Sequence, residues 1–265
     1  MITNAICIQI IRILEVIAVM KTVKMFDCNV AALTMEETIQ EIECYIKERK
    51  PVQHVVINAG KVVLMENNEE LKTVIQKCPL INADGQSIVW ASKILAKPLP
   101  ERVTGIDLME NLVCLSNEKG YRIYFFGAKE HIVKKVIEKY KDKYPNLQIA
   151  GYRNGYFSEK DNKDIVEDMK KSKADILFVA FSSPKKEFWL YNNMDKIDIP
   201  FCMGVGGSFD VVAGKTKRSP KWMQKIGLEW FYRFMQEPRR MWKRYLVGNF
   251  KFIKIVIEEK MKRKK

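Results

Sequence analysis

At 265 residues with 47% hydrophobic content, the chain carries enough apolar mass for one large folded domain or two small ones, which excludes disorder for its bulk. Its net charge of +14 is unevenly spread: residues 215 to 265 hold 17 Lys or Arg against 4 Glu, leaving 29 basic and 28 acidic groups in the first 214. A neutral body with a basic, Trp-containing appendage calls for a polyanionic partner, which means nucleic acid, an anionic membrane or a phosphate-bearing substrate.

The first twenty residues, MITNAICIQIIRILEVIAVM, are apolar, but Arg12 and Glu15 interrupt the run and no positive charge precedes it. Neither a signal peptide nor a spanning helix fits, which leaves residues 1–23 as an extension or an interfacial helix. Regular patterning starts near Lys24. Apolar residues at Met35, Ile39, Ile42 and Ile46 predict a helix closed by Pro51, with Thr34 as its N-cap. HVVINA then has the β-branched run of a buried parallel strand.

A helix over 68–77, the strand PLINA, a helix over 87–95 and the loop KPLPERVTG follow. Asp107 is expected to cap a helix ending at Gly120, and YRIYFFGA is the clearest buried strand. Helix and strand alternate from there through IPFCMGVGG, so the expected class is α/β, a Rossmann-like, largely parallel sheet flanked by helices. Pro238 divides the appendage into two helical stretches. Six cysteines without metal-ligand spacing, and only two histidines, read as reduced thiols in the core rather than a metal site.

In such sheets ligands sit beyond the carboxyl ends of the strands. Asn58, Asp84 with Gly85, Gly127, residues 182–184 and the GVGG turn containing Gly206 all fall at strand ends. Asp84 follows an apolar strand and precedes a glycine, which suits a general base in a cleft and equally suits an Asx-turn or helix cap. GVGG could bring amides to a phosphate or simply make a tight turn. Arg102 could fork onto a phosphate or pair with Glu101 or Asp107. No Asp-x-Asp pair is present to hold a cation on a diphosphate, so any such charge must be met by Arg, Lys or backbone amides, with no metal or cofactor.

NADGQSIVWASKILAKPLPERVTGIDLMENL, YFFGAKE, GYF, SSPKKEFW and GVGGSFDVVAGKTKRSPKWMQKIGLEWFYRFMQEPRRMWKRYL occur in the order and spacing of the WecG/TagA/CpsF glycosyltransferases, which this chain resembles over roughly residues 24–248. The resemblance implies a metal-independent, inverting transferase of cell-wall, teichoic acid or exopolysaccharide synthesis. Its donor would be a UDP-sugar of the N-acetylmannosamine type, and its acceptor a polyprenyl-diphosphate-linked sugar at the inner face of the cell membrane. On that pattern Asp84 is the catalytic base. Asn58, Gly85, Arg102, Asp107, Gly127, Lys186, Glu187 and Gly206 line the substrate site, and Arg233, Arg240 and Lys243 come from the appendage to neutralise the diphosphate.

Two residues depart from the family pattern at the sugar end: Val56 where a threonine is usual, and Lys186 where a glutamine is usual. Lys243 stands at a third basic position and lacks a planar fork. The expected organisation is an extension over 1–23, a catalytic core over 24–214 and a helical appendage over 215–265. In the appendage Met241, Trp242, Tyr245, Leu246, Phe252, Ile253, Val256 and Ile257 form an apolar stripe with basic residues between them. That stripe fits a membrane interface, or packing on the body or on a second copy in a homo-oligomer. Two rivals compete with the transferase: a single-stranded nucleic-acid-binding module, which leaves the strand-end residues unexplained, and a soluble UDP-sugar epimerase, which leaves the appendage unexplained. The balance favours the transferase, with a membrane rather than nucleic acid as the second polyanion.

Overall fold

The computed structural model describes residues 20–242 and 247–262. Most of the extension and Lys243, Tyr245 and Leu246 lie outside the described residues, as do the side chains of Arg240 and Met241. The described part opens on a hairpin that the sequence reading missed, β1 (Thr22–Met25) antiparallel to β2 (Cys28–Ala31). Its turn residues Phe26 and Asp27 sit at φ 52° and 57°, the left-handed pair that a two-residue hairpin needs, but without the Asn-Gly signature that advertises it.

Helix α1 (Met35–Glu48) starts as expected: Thr34 accepts from the Glu37 amide while the Glu37 carboxylate accepts from Thr34, and Arg49 ends it in a left-handed turn. Strand β3 (Val52–Ile57) leads into α2 (Ala59–Glu66), a helix the reading did not anticipate, then α3 (Glu69–Gln76) and β4 (Leu80–Ala83). Helix α4 (Gln86–Ile94) and helix α5 (Gly105–Lys119) follow. The cap of α5 is Thr104, not Asp107, which lies within the first turn; the Thr104 hydroxyl accepts from the Asp107 amide at 3.2 Å. A threonine just before the first turn reaches the free amides, and a residue already inside the helix does not.

Next come β5 (Arg122–Gly127), α6 (Glu130–Lys143), β6 (Gln148–Arg153), a short 3₁₀ turn, α7 (Asn162–Ser172), β7 (Ile176–Ala180), α8 (Lys185–Ile197), β8 (Phe201–Gly204) and α9 (Ser208–Val212). The six strands β3 to β8 form one sheet in the order β4-β3-β8-β7-β5-β6, every adjacent pair parallel. Side chains alternate between the faces: Phe125, Phe178 and Phe201 pack with α1, α5, α6 and α9, while Val55, Ile57 and Ile81, or Leu177 and Val179, pack with the helices opposite. With both faces covered, β5, β7 and β8 are nearly continuous apolar runs, which is why they were legible, while β3 also buries Gln53 and His54 and the edge strand β6 is largely uncovered.

The appendage comprises α10 (Lys221–Lys225), α11 (Glu229–Gln236), α12 (Pro238–Trp242) and α13 (Gly248–Lys262). Its apolar stripe divides. Phe252 and Val256 are buried against the body beside Phe26, and the Phe26 amide donates to Glu259 at 2.9 Å. Ile253 and Ile257 remain exposed with Phe250 and Met261. The two buried positions therefore dock α13, and only the outer positions are left for a membrane or partner. Of the described cysteines, Cys28, Cys78 and Cys202 are core residues as expected, whereas Cys44 is exposed and Cys114 half-buried. Among the described residues no helix is long and apolar enough to cross a membrane.

Candidate active site

Because all six strands run the same way, their carboxyl ends share one edge of the sheet, and Asn58, Asp84, Gly127, residues 181–184 and Gly204–Gly207 gather there. The Asp84 amide continues the ladder, donating to the Ile57 carbonyl at 2.7 Å. Gly85 then turns at φ 129°, a conformation open to glycine, and occupies the N-cap of α4, which has no side-chain cap. The competing role of Asp84 as a helix cap is thus not taken up. Its carboxylate makes no hydrogen bond or ion pair among the described residues and stays partly accessible.

Burial raises the Asp84 pKa above the ordinary aspartate value; the positive charge of Arg233 opposes this, Glu229 reinforces it, and Arg102 and Lys61 again oppose it. A carboxylate without partners and with a raised pKa is a better proton acceptor than a surface aspartate. Asn58 is 3.6 Å away from the point where a Cβ on Gly85 would sit, so it lies beside this turn. Its own Oδ1 accepts from the Lys61 amide at 3.0 Å and caps α2.

Below the strand ends lies a buried charge cluster. Glu187 Oε1 receives Lys61 Nζ at 2.7 Å, the Ser183 hydroxyl at 2.9 Å and Lys186 Nζ at 3.3 Å, while Oε2 is buried with no partner. Lys186 Nζ also donates to Ser183 at 2.8 Å and lies 3.8 Å from where a Cβ on Gly206 would be. A Cβ on Gly204 would fall 2.7 Å from the Lys186 stem, so the glycine turn packs directly over this lysine. Burial and the neighbouring Lys61 lower the Lys186 pKa to about 8 against the pull of Glu187 and Asp84. Burial pushes Glu187 up, but the two lysines outweigh it and hold the carboxyl at about 2. Glu187 is 1% exposed and acts here as the anchor that orients both lysines.

Arg102 and Asp107 are both engaged by the appendage. Arg102 NH1 bonds Glu229 at 3.0 Å, and Arg218 forks onto both Asp107 oxygens at 2.6 and 2.8 Å while its Nε reaches Glu229 at 3.4 Å. Neither Glu101 nor Asp107 pairs with Arg102; Glu101 accepts from the Met35 amide. The loop before α5 thus clasps the appendage, joining Arg102 and Asp107 to Arg218 and Glu229. Burial raises Asp107, but the bonds from Arg218 and Thr104 prevail and hold it below the ordinary value. Arg233, on α11 one turn after Glu229, is exposed and bears on Asp84 through its charge. Gly127, at φ 128°, is explained by packing, since a Cβ there would meet the Ala180 carbonyl at 2.7 Å.

Sequence reasoning missed Lys61, Arg218 and Glu229. Lys61 pairs across 126 residues and Arg218 across 111, separations no local spacing reveals. The arrangement offers a poised carboxylate, cations from the core and the appendage, and glycine turns at the open edge, which is the equipment for deprotonating a hydroxyl beside an anionic leaving group.

The family model for the glycosyl transferase WecG/TagA/CpsF family matches residues 23–265, appendage included. An N-acetylglucosaminyldiphosphoundecaprenol N-acetyl-beta-D-mannosaminyltransferase of Bacillus spizizenii (strain ATCC 23059 / NRRL B-14472 / W23) is 35% identical over 202 residues, 76% of this chain and 77% of that protein. A protein of the same name from Bacillus subtilis (strain 168) is 35% identical over 190 residues, 72% of this chain and 73% of its own. The chain belongs to the WecG/TagA/CpsF family of glycosyl transferases.

Proposed function

We propose that this glycosyltransferase moves an N-acetylmannosamine-type sugar from a UDP-sugar to a polyprenyl-diphosphate-linked N-acetylglucosamine, in the synthesis of a cell-wall or exopolysaccharide polymer. The reading rests on the relatives' activity and on one observation: Asp84 stands at the open edge with no hydrogen-bond or ion-pair partner among the described residues and with its pKa raised by burial. Asp84 takes the proton of the acceptor hydroxyl as that oxygen attacks the anomeric carbon, and the sugar–phosphate bond breaks with its electron pair leaving on UDP. Because the attack comes from the face opposite the leaving group, configuration inverts. Arg233, with Arg240 and Lys243 as further candidates, offsets the diphosphate charge without a metal. The core cation nearest the glycine turn is Lys186.

The same reading places the enzyme on the inner face of the cell membrane as a peripheral protein. Exposed Trp222, Trp230, Phe231, Met235, Phe250 and Ile253 among basic residues support this, since each Lys or Arg near an anionic leaflet contributes about 1 kcal/mol. Product analysis with UDP-N-acetylmannosamine and a lipid-diphosphate N-acetylglucosamine tests the proposal: a disaccharide-lipid product supports it, and sugar isomerisation without transfer overturns it.

A further inference from the structure

Helix α4 presents two opposed apolar faces. Ile88, Ala91 and Leu95 meet the core, so the opposite face is where a surface helix carries polar side chains. Trp90 and Ile94 hold that face instead, each 51% exposed. Four residues apart, they lie on adjacent turns and make one stripe.

The head of the stripe is Gln86, one turn before Trp90. There the appendage crosses it, since a Cβ on Gly227 would fall 2.7 Å from the Gln86 Cβ. Ile226, next in the chain, is 53% exposed. The helix begins two residues after Asp84. The stripe therefore begins at Gln86 beside the appendage loop, two residues from the candidate base, is apolar from Trp90 to Ile94, and ends about 12 Å down the outside of α4.

We propose that this stripe, from Ile226 past Gln86 to Trp90 and Ile94, seats the isoprenoid chain of the lipid-diphosphate acceptor where it leaves the diphosphate, an inference that rests on the transferase reading above. The acceptor joins sugar, diphosphate and hydrocarbon in a line. With the sugar hydroxyl at Asp84 and the diphosphate among the cations beside it, the chain must leave by the same edge. The α4 stripe descends from that edge, and the first turn of α4 carries no acidic residue to oppose a diphosphate. A second copy of the chain needs about 800 Å² per partner, far more than a two-residue stripe provides. Bulk lipid does not require the stripe to start at the catalytic edge.

The test compares kcat/KM for two acceptors with the same sugar diphosphate, one ending in methyl and one in farnesyl, in detergent-free solution. The wild-type protein should prefer the farnesyl acceptor by about tenfold or more, and Trp90→Ser/Ile94→Ser should bring that ratio close to one. Trp90→Phe/Ile94→Leu should restore the preference, which separates lost apolar contact from a damaged fold. An unchanged ratio in the serine variant overturns the proposal, as does an equal loss on both acceptors. A wild-type protein that uses both acceptors equally overturns it while leaving the transferase reading intact. If the wild type transfers to neither, the transferase reading fails and the proposal with it. A change only in oligomeric state, with the ratio intact, assigns the stripe to a second copy instead.

Discussion

Asp84, Glu187 and Lys186 differ in what surrounds them, and that difference assigns their roles. Glu187 is buried among donors and carries structural weight. Replacing it by Gln leaves Lys61 and Lys186 buried without a full counter-charge, and a loss of about 3 to 5 kcal/mol in a urea titration at neutral pH is expected. The carboxyl titrates near 2 in the folded state against an ordinary 4.5. The stability it contributes is therefore complete above pH 4.5 and lost as pH falls towards 2, so the gap between wild type and variant should narrow across that window. Lys186 acts on Asp84 through charge: Asp84 stabilises the protonated lysine, and reciprocally the lysine favours the ionised carboxylate. Lys186→Gln should move the acid limb of the kcat/KM profile to higher pH. It should also remove any alkaline limb near pH 8, where the wild-type lysine loses its charge. A profile with both limbs unmoved contradicts that coupling. Asp84 and the strand-end glycines were legible in the sequence because parallel strands deliver their ends to one edge. Lys61 was not, since the Glu187 carboxylate it shares with Lys186 lies 126 residues along the chain.

Among the elements, the described part of the appendage is tied to the body by the clasp of Arg218 and Glu229 on the loop before α5 and by the docking of Phe252 and Val256. The clasp carries α11, and with it Arg233, towards Asp84. Arg218→Ala should therefore lower kcat/KM although Arg218 is assigned no substrate contact. It should cost only about 1 to 2 kcal/mol of stability, because Asp107 remains partly exposed and water screens the pair. Faster hydrogen exchange confined to the appendage in that variant is the accompanying signature, and wild-type exchange there contradicts the clasp. The sequence exposed the longer amphipathic helices and the mostly apolar strands, and it concealed the short helix α2 although Asn58 caps it. It concealed the β1–β2 hairpin, whose left-handed turn is made by Phe26 and Asp27 rather than by glycine. It also concealed the two-sided use of α13, because an apolar stripe reads the same whether it meets a core or a lipid.

At the scale of the molecule, a nearly neutral body bears a cationic, aromatic appendage on which Trp222, Phe250, Ile253, Ile257 and Met261 are exposed. Binding to vesicles containing anionic phospholipid should be measurable by sedimentation, weaken steeply between low and high salt, and be lost on neutral vesicles. Equal binding to both vesicle types, or a salt-dependent shift with single-stranded nucleic acid instead, contradicts the membrane assignment. The central claim is that Asp84 performs the proton transfer in a sugar transfer to a lipid diphosphate. Its most direct test is single-turnover transfer from UDP-N-acetylmannosamine to farnesyl-diphosphate N-acetylglucosamine by wild type and Asp84→Asn, with UDP-sugar affinity measured alongside. The account predicts a fall of about a hundredfold or more in the transfer rate with donor affinity largely kept; transfer at the wild-type rate by the asparagine variant would contradict it.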